Sequence, residues 1–202
     1  MSELSDAPRG REAQRLRTRR RVFDAAIAEF QSVGVAEADI GAIVEAAGVA
    51  RGTFYFHFPS KEHALLELEA REEARIADEL SDFLAGPHDL KAALEKTIQL
   101  VLGLERRLGS VLFKEILAVH FSPSRPLDDE WRGHRVIVLV VEEIQRARAA
   151  GEAEIAVDPF HSAVFFLLGL YAMLTTTSGS KSLRDNALDN YLITVLRSLE
   201  PR

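Results

Sequence analysis

Apolar residues recur at intervals of three and four along nearly the whole chain, a spacing that predicts helices throughout. A first helix covers about 15–33, with Val22, Ala26, Phe30 and Val33 on its inner face. Ile40, Ile43, Val44 and Ala47 form the stripe of a short second helix, and Phe54 and Phe58 point inward from a third, about 50–57. A fourth begins at Lys61 and continues through Leu65, Leu68 and Ile76 to about Leu84, where Gly86-Pro87 ends it. Leu90, Leu94, Ile98, Val101 and Leu102 mark a fifth, about 89–104, and a sixth covers about 109–121. After a proline-containing loop at 122–126, a seventh spans about 128–150; its apolar stretch 136–141 is hydrophobic all round and hence buried. Asp158-Pro159 is a start signal, N-cap then proline at N1, for an eighth helix to about Thr177, and a ninth covers about 183–199. No strand pattern competes, so the expected fold is all-α with about nine helices.

The segment from Asp39 to Lys61 carries the most chemistry. Asp39 is placed to accept the open N–H groups of the second helix. Gly48 ends that helix where the chain must turn sharply, a conformation with φ > 0 that glycine takes without penalty. On the third helix Phe54 and Phe58 share the inner face, which leaves Arg51, Gly52, Thr53, Tyr55 and His57 largely free. Pro59 stops it, and Ser60 is placed to cap the next helix at Lys61. Two short helices joined by a glycine turn form a helix-turn-helix, whose second helix fits the major groove of DNA.

The run from Ala46 to Phe58, followed by Ser60-Lys61, resembles the signature of the tetracycline-repressor (TetR) family. The segment from Thr18 to Phe30, then Gly34, is similar to that family's first helix, so the resemblance covers roughly 15–65. It implies an N-terminal three-helix DNA-binding domain (15–64) behind a basic flexible arm (1–14), and a C-terminal helical ligand-binding and dimerisation domain (65–202). It also implies roles. Arg51 and Thr53 would touch base edges, Gly52 would let the backbone approach, and Tyr55, His57 and Lys61 would hold phosphates. The alternative for Tyr55 and His57 is a packed aromatic and a capping histidine. The chain departs from the pattern at Ala50, where the family commonly has a capping serine, and at Ala38 and Asp39, where it usually has threonines. Gly41 inside the second helix costs up to about 1 kcal/mol relative to alanine.

A net charge of −6 looks wrong for a DNA binder until it is divided along the chain. Between Arg9 and Arg21 seven arginines face one acid, Glu12, while residues 63–202 hold 16 basic and 22 acidic side chains. Arg19 and Arg20, at the end of the basic run, are therefore expected on phosphates, which strengthens binding without reading sequence.

Length and composition fit this reading. A chain of 202 residues, 47% hydrophobic and 28% charged, supports one compact unit or two small ones. There is no cysteine, which excludes disulfides and thiolate metal sites and suits a reducing cytoplasm. The N-terminal residues lack the apolar run of a signal peptide, and the most apolar run, 160–174, is too short for a bilayer. No cofactor or metal is expected.

The last two helices carry Phe160, Val164, Leu167, Leu168, Tyr171 and Leu174 with Leu188, Leu192, Val195, Leu196 and Leu199, more apolar surface than a small domain needs. They are expected to pair two copies as a four-helix interface, bringing two readers to a near-palindromic site on double-stranded DNA. Phe113, His120, Trp131, His134, Phe165 and Phe166 are the expected lining of a largely apolar ligand site. No phosphate loop, nucleophile elbow or cysteine nucleophile points to an enzyme. The expected function is a repressor released from its operator by a small molecule. The alternatives are a helical DNA-binding or interaction module without ligand sensing, and a ligand-dependent activator.

Overall fold

The computed structural model describes residues 7–120, 134–153, 157–176 and 181–199. Among them are eight helices and no strand: α1 (Ala7–Val33), α2 (Ile40–Ala47), α3 (Arg51–His57), α4 (Lys61–Leu84), α5 (Leu90–His120), α6 (Arg135–Ala149), α7 (Pro159–Thr176) and α8 (Lys181–Leu199). Two differences from the sequence pattern stand out. The first helix begins at Ala7, so the described part of the expected flexible arm continues α1. The expected fifth and sixth helices form one element with a kink, because Gly109 at φ 76° and ψ 159° interrupts the helical backbone without opening a loop. The kink separates two helical segments where the sequence pattern places a break, so among the described residues the eight elements hold nine helical segments.

The chain forms two compact units, Met1–Ala70 with Leu108–Val119, and Arg71–Arg107 with His120–Arg202. In the first, α1 packs on α2 and α2 on α3 around Val22, Ala26, Phe30, Ile43 and Phe54, each 0% exposed. Val33, expected on the inner face of the first helix, is instead 46% exposed. The helix ends there, and the turn at Gly34 delivers Val35 to the interior in its place. That turn is fixed from α5: both oxygens of Glu115 accept the Val35 N–H, at 3.1 and 3.0 Å.

In the second unit α6 packs on α7 and α7 on α8. Asp158 caps α7 as its position before Pro159 predicts, with Oδ1 accepting the Phe160 N–H at 2.9 Å. The helix holding the most apolar run extends to 18 residues, enough on length and composition to cross a membrane, which corrects the expectation that it is too short. Here it buries Ala163, Phe166, Leu167, Leu170 and Leu174 among its neighbours. The α4–α5 corner is tied to α6 by His88, whose Nδ1 donates to Gly86 O at 2.7 Å and whose Nε2 donates to Glu143 Oε2 at 2.8 Å. Arg146 Nε donates to the same carboxylate oxygen at 2.8 Å.

Candidate nucleic-acid interface

The helix-turn-helix is held by its interior and by a clamp from α1. Asp39 Oδ1 accepts the Gly41 N–H at 2.8 Å and so starts α2. At the other end Gly48, at φ 62° and ψ 44°, donates to Glu45 O, and Val49 donates to Val44 O, both at 3.0 Å. This pair of bonds satisfies carbonyls that the helix leaves open. Arg21 Nη2 donates to Ala47 O at 2.8 Å, which adds a positive charge where the helix dipole is negative.

α3 starts without a side-chain cap at Ala50, as the sequence suggests, so its position depends on aromatic packing. Phe54 and Phe58 are 0% and 1% exposed, with ring centroids 6.0 Å apart, and Phe58 lies 6.0 Å from Phe23 of α1. The opposite face is open. Arg51, Gly52 and Tyr55 are exposed there, and a β-carbon on Gly52 would meet nothing within 4 Å. Phe56 is the most exposed large apolar side chain of the helix, at 71%. It was missed in the sequence, although two positions beyond Phe54 on a helix is nearly the opposite side.

The other predicted DNA contacts divide by what already occupies them. Arg20 stays open, its side chain 81% exposed and only 3.7 Å from Asp24 as a loose pair. Arg19 is engaged within the unit: its guanidinium pairs with Glu67 and sits 4.5 Å from the centre of the Phe58 ring. Lys61 is engaged as well, with Nζ donating to Ala36 O at 2.8 Å and Ala38 O at 3.1 Å. Thr53 is half-buried. His57 is half-buried too, with a buried Nδ1 that has no hydrogen-bond partner among the described residues. Burial, then the charges of Arg19 and Arg15, push its pKa below the ordinary value. A neutral His57 packs edge-on against Phe56, ring centroids 5.0 Å apart, and so supports that side chain. Of the expected contacts, Arg51, Arg20 and Tyr55 are thus the ones whose side chains stay exposed.

The described members of the expected ligand set are divided between the two units. Phe113 is fully buried in the first unit, whereas His134, Phe165 and Phe166 belong to the second. Phe166 is buried and stacks on Tyr191 at 6.0 Å, while Phe165 is 61% exposed, because neighbours on a helix point about 100° apart. His134 stands at the N-cap position of α6 without a side-chain cap bond, its ring paired instead with Glu73 at 2.8 Å. Trp131 and the side chain of His120 lie outside the described residues.

An all-α chain with this supported turn and open third helix is a helix-turn-helix protein. A family model described as bacterial regulatory proteins, tetR family, matches residues 22–68. The HTH-type transcriptional repressor KstR of Mycolicibacterium smegmatis is 44% identical over 73 residues, 36% of this chain and 35% of that protein. The chain thus aligns with about a third of that relative's length. An HTH-type transcriptional regulator of Pseudomonas putida, TtgW, is 31% identical over 117 residues, 58% of this chain and 74% of that protein. Among solved structures, the TetR-family repressor FadR of Thermus thermophilus in complex with lauroyl-CoA superposes with a TM-score of 0.67 at 22% identity, covering 91% of this chain and 96% of that one. The chain belongs to the tetR family of bacterial regulatory proteins.

Proposed function

We propose that the protein is a sequence-specific DNA-binding repressor that acts as a homodimer and leaves its operator when a small molecule binds. The observation that carries this reading is the outward face of α3, where Arg51, Gly52, Tyr55 and Phe56 stand exposed on a helix held from behind by Phe54 and Phe58. In a major groove Arg51 donates two bonds to a guanine, Phe56 lies against thymine methyls, and Gly52 lets the backbone approach. Tyr55 and Arg20 fix the register on phosphates.

The division of labour follows the chain: DNA reading in 15–64, sensing and pairing in 65–202. Pairing is supported by α7, which exposes His161, Phe165, Leu168 and Ala172 at intervals of four, three and four. A mostly apolar stripe on an outer face is what a second copy covers, and two readers one helical turn apart, about 34 Å, match a near-palindrome. The repressor KstR supports repression, and the FadR complex with lauroyl-CoA supports small-molecule binding.

Footprinting on the DNA upstream of the protein's own gene tests the proposal. The expected result is protection of two related half-sites, lost on adding cell extract. Equal affinity for the same DNA with its sequence scrambled overturns the sequence-reading role.

A further inference from the structure

We infer that the second unit binds a lipophilic organic cation in the open groove between α6 and the start of α7. The groove measures about 690 Å³. Its apolar wall is Ile137, Val138 and Val141 from α6 and Phe160 from α7, and its charged groups are the carboxylates of Glu142 and Asp158. Among the described residues no lysine or arginine lines it. His161 is the remaining ionisable group on its rim, at 3.8 Å from Asp158, too far for a strong pair.

The carboxylates and the apolar wall of the groove select the same chemistry. Glu142 is exposed and forms no ion pair or hydrogen bond among the described residues, so its charge is available to a ligand. Asp158 spends Oδ1 on the Phe160 N–H, which holds its carboxylate at the end of α7 facing the groove. The Phe160 ring offers a negative π face to a cation, and the aliphatic side chains of α6 take an apolar body. An anionic headgroup such as a phosphate or carboxylate is repelled by the two carboxylates, which outweigh the partial positive charge of the α7 N-terminus, already capped by Asp158. The preferred occupant is therefore a flat or branched apolar molecule bearing an ammonium, pyridinium or similar charge.

The inference deepens the sensing part of the proposed function, but its test contains no DNA. The full-length protein is titrated with thioflavin T, a fluorescent aromatic cation, and in parallel with the anionic dye 1-anilinonaphthalene-8-sulfonate. Thioflavin T should bind saturably, and Glu142→Gln should weaken it about fivefold, the scale of one partly exposed charge pair. Glu142→Lys should reverse the preference, losing the cation and gaining the anion. Because Glu142 is exposed, both variants keep the fold, which a matching melting curve verifies. Equal affinity for both dyes, or indifference of both to Glu142→Lys, overturns the site. A dye that binds as expected yet fails to release DNA in a separate shift assay leaves the site standing and removes only its role in sensing.

Discussion

Arg21 of α1 donates from Nη2 to the Ala47 carbonyl oxygen at 2.8 Å, so a side chain of the first helix closes the end of the second. Arg21 is exposed yet structural, and it shares the basic run with arginines that remain open to DNA. Arg21→Ala should lower stability by about 1–2 kcal/mol through the lost charged hydrogen bond and dipole interaction. Urea denaturation compared with Arg20→Ala, which should stay within about 0.5 kcal/mol of wild type, measures the difference.

Arg51→Ala should narrow the gap between operator and scrambled DNA by roughly 10-fold or more, the scale of one bidentate base contact. Phe56→Ala should do so more weakly, by losing methyl contacts. Competition gel shifts at one fixed salt concentration read both, and an unchanged operator-to-scrambled ratio for both variants removes the α3 face from base reading.

Lys61 is a harder case, because its Nζ already bridges two carbonyls of the turn before α2. Lys61→Met should lower the melting temperature while leaving the salt slope of DNA binding close to wild type. A slope that falls by about one unit would instead identify Lys61 as a phosphate ligand.

α7 and α8 approach so closely at Gly169 that a β-carbon there would lie 2.6 Å from the Tyr191 hydroxyl oxygen and 2.7 Å from its Cε2. The Tyr191 hydroxyl also donates to Phe166 O, and burial raises its pKa to about 12. Gly169→Ala should cost about 2 kcal/mol by overpacking, and should lower the tyrosine pKa as the ring is pushed toward solvent. Adding Tyr191→Leu should recover part of the loss, which a thermodynamic cycle of the single and double variants tests.

His88 should make stability depend on pH. Its pKa is raised above 6.5, chiefly by the Gly86 carbonyl and further by Glu143, against opposition from burial and from Arg146. A raised folded-state pKa means the stabilisation is complete below pH 6.5 and fades as pH climbs through the folded value. Melting temperatures taken from pH 6 to pH 9 should therefore fall, and His88→Gln should flatten that fall. A wild-type profile no steeper than that of the variant would refute the assignment.

Much of the reader is legible in sequence because local rules govern it. Asp39, Gly48 and Pro59 set helix ends by caps and φ preferences, and the i, i+4 pair Phe54 and Phe58 fixes the inner face. The occupancy of Arg19 and Lys61 was not legible. Their partners, Glu67 and the carbonyls of Ala36 and Ala38, meet them only through tertiary packing, which spacing does not encode. The burial of individual ligand candidates was not legible for a related reason. Phe165 and Phe166 are equally apolar in sequence, and the packing around α7, with Tyr191 stacked on Phe166, decides which one is buried. The groove at Glu142 and Phe160 joins helices separated by a loop, so periodicity within either helix does not reveal it.

The bond from Val35 to Glu115 has a consequence for synthesis. The unit that holds α1, α2 and α3 also takes in residues 108–119, among them Leu112 and Phe113, both 0% exposed. A ribosome that has released only the first 70 residues has thus not released the whole of that unit. The Val35 N–H waits for its acceptor through a further 80 positions of chain. The helices that read DNA come early in the message but are completed late. A polypeptide cut after Ala70 should accordingly be less stable than the same helices in the full chain.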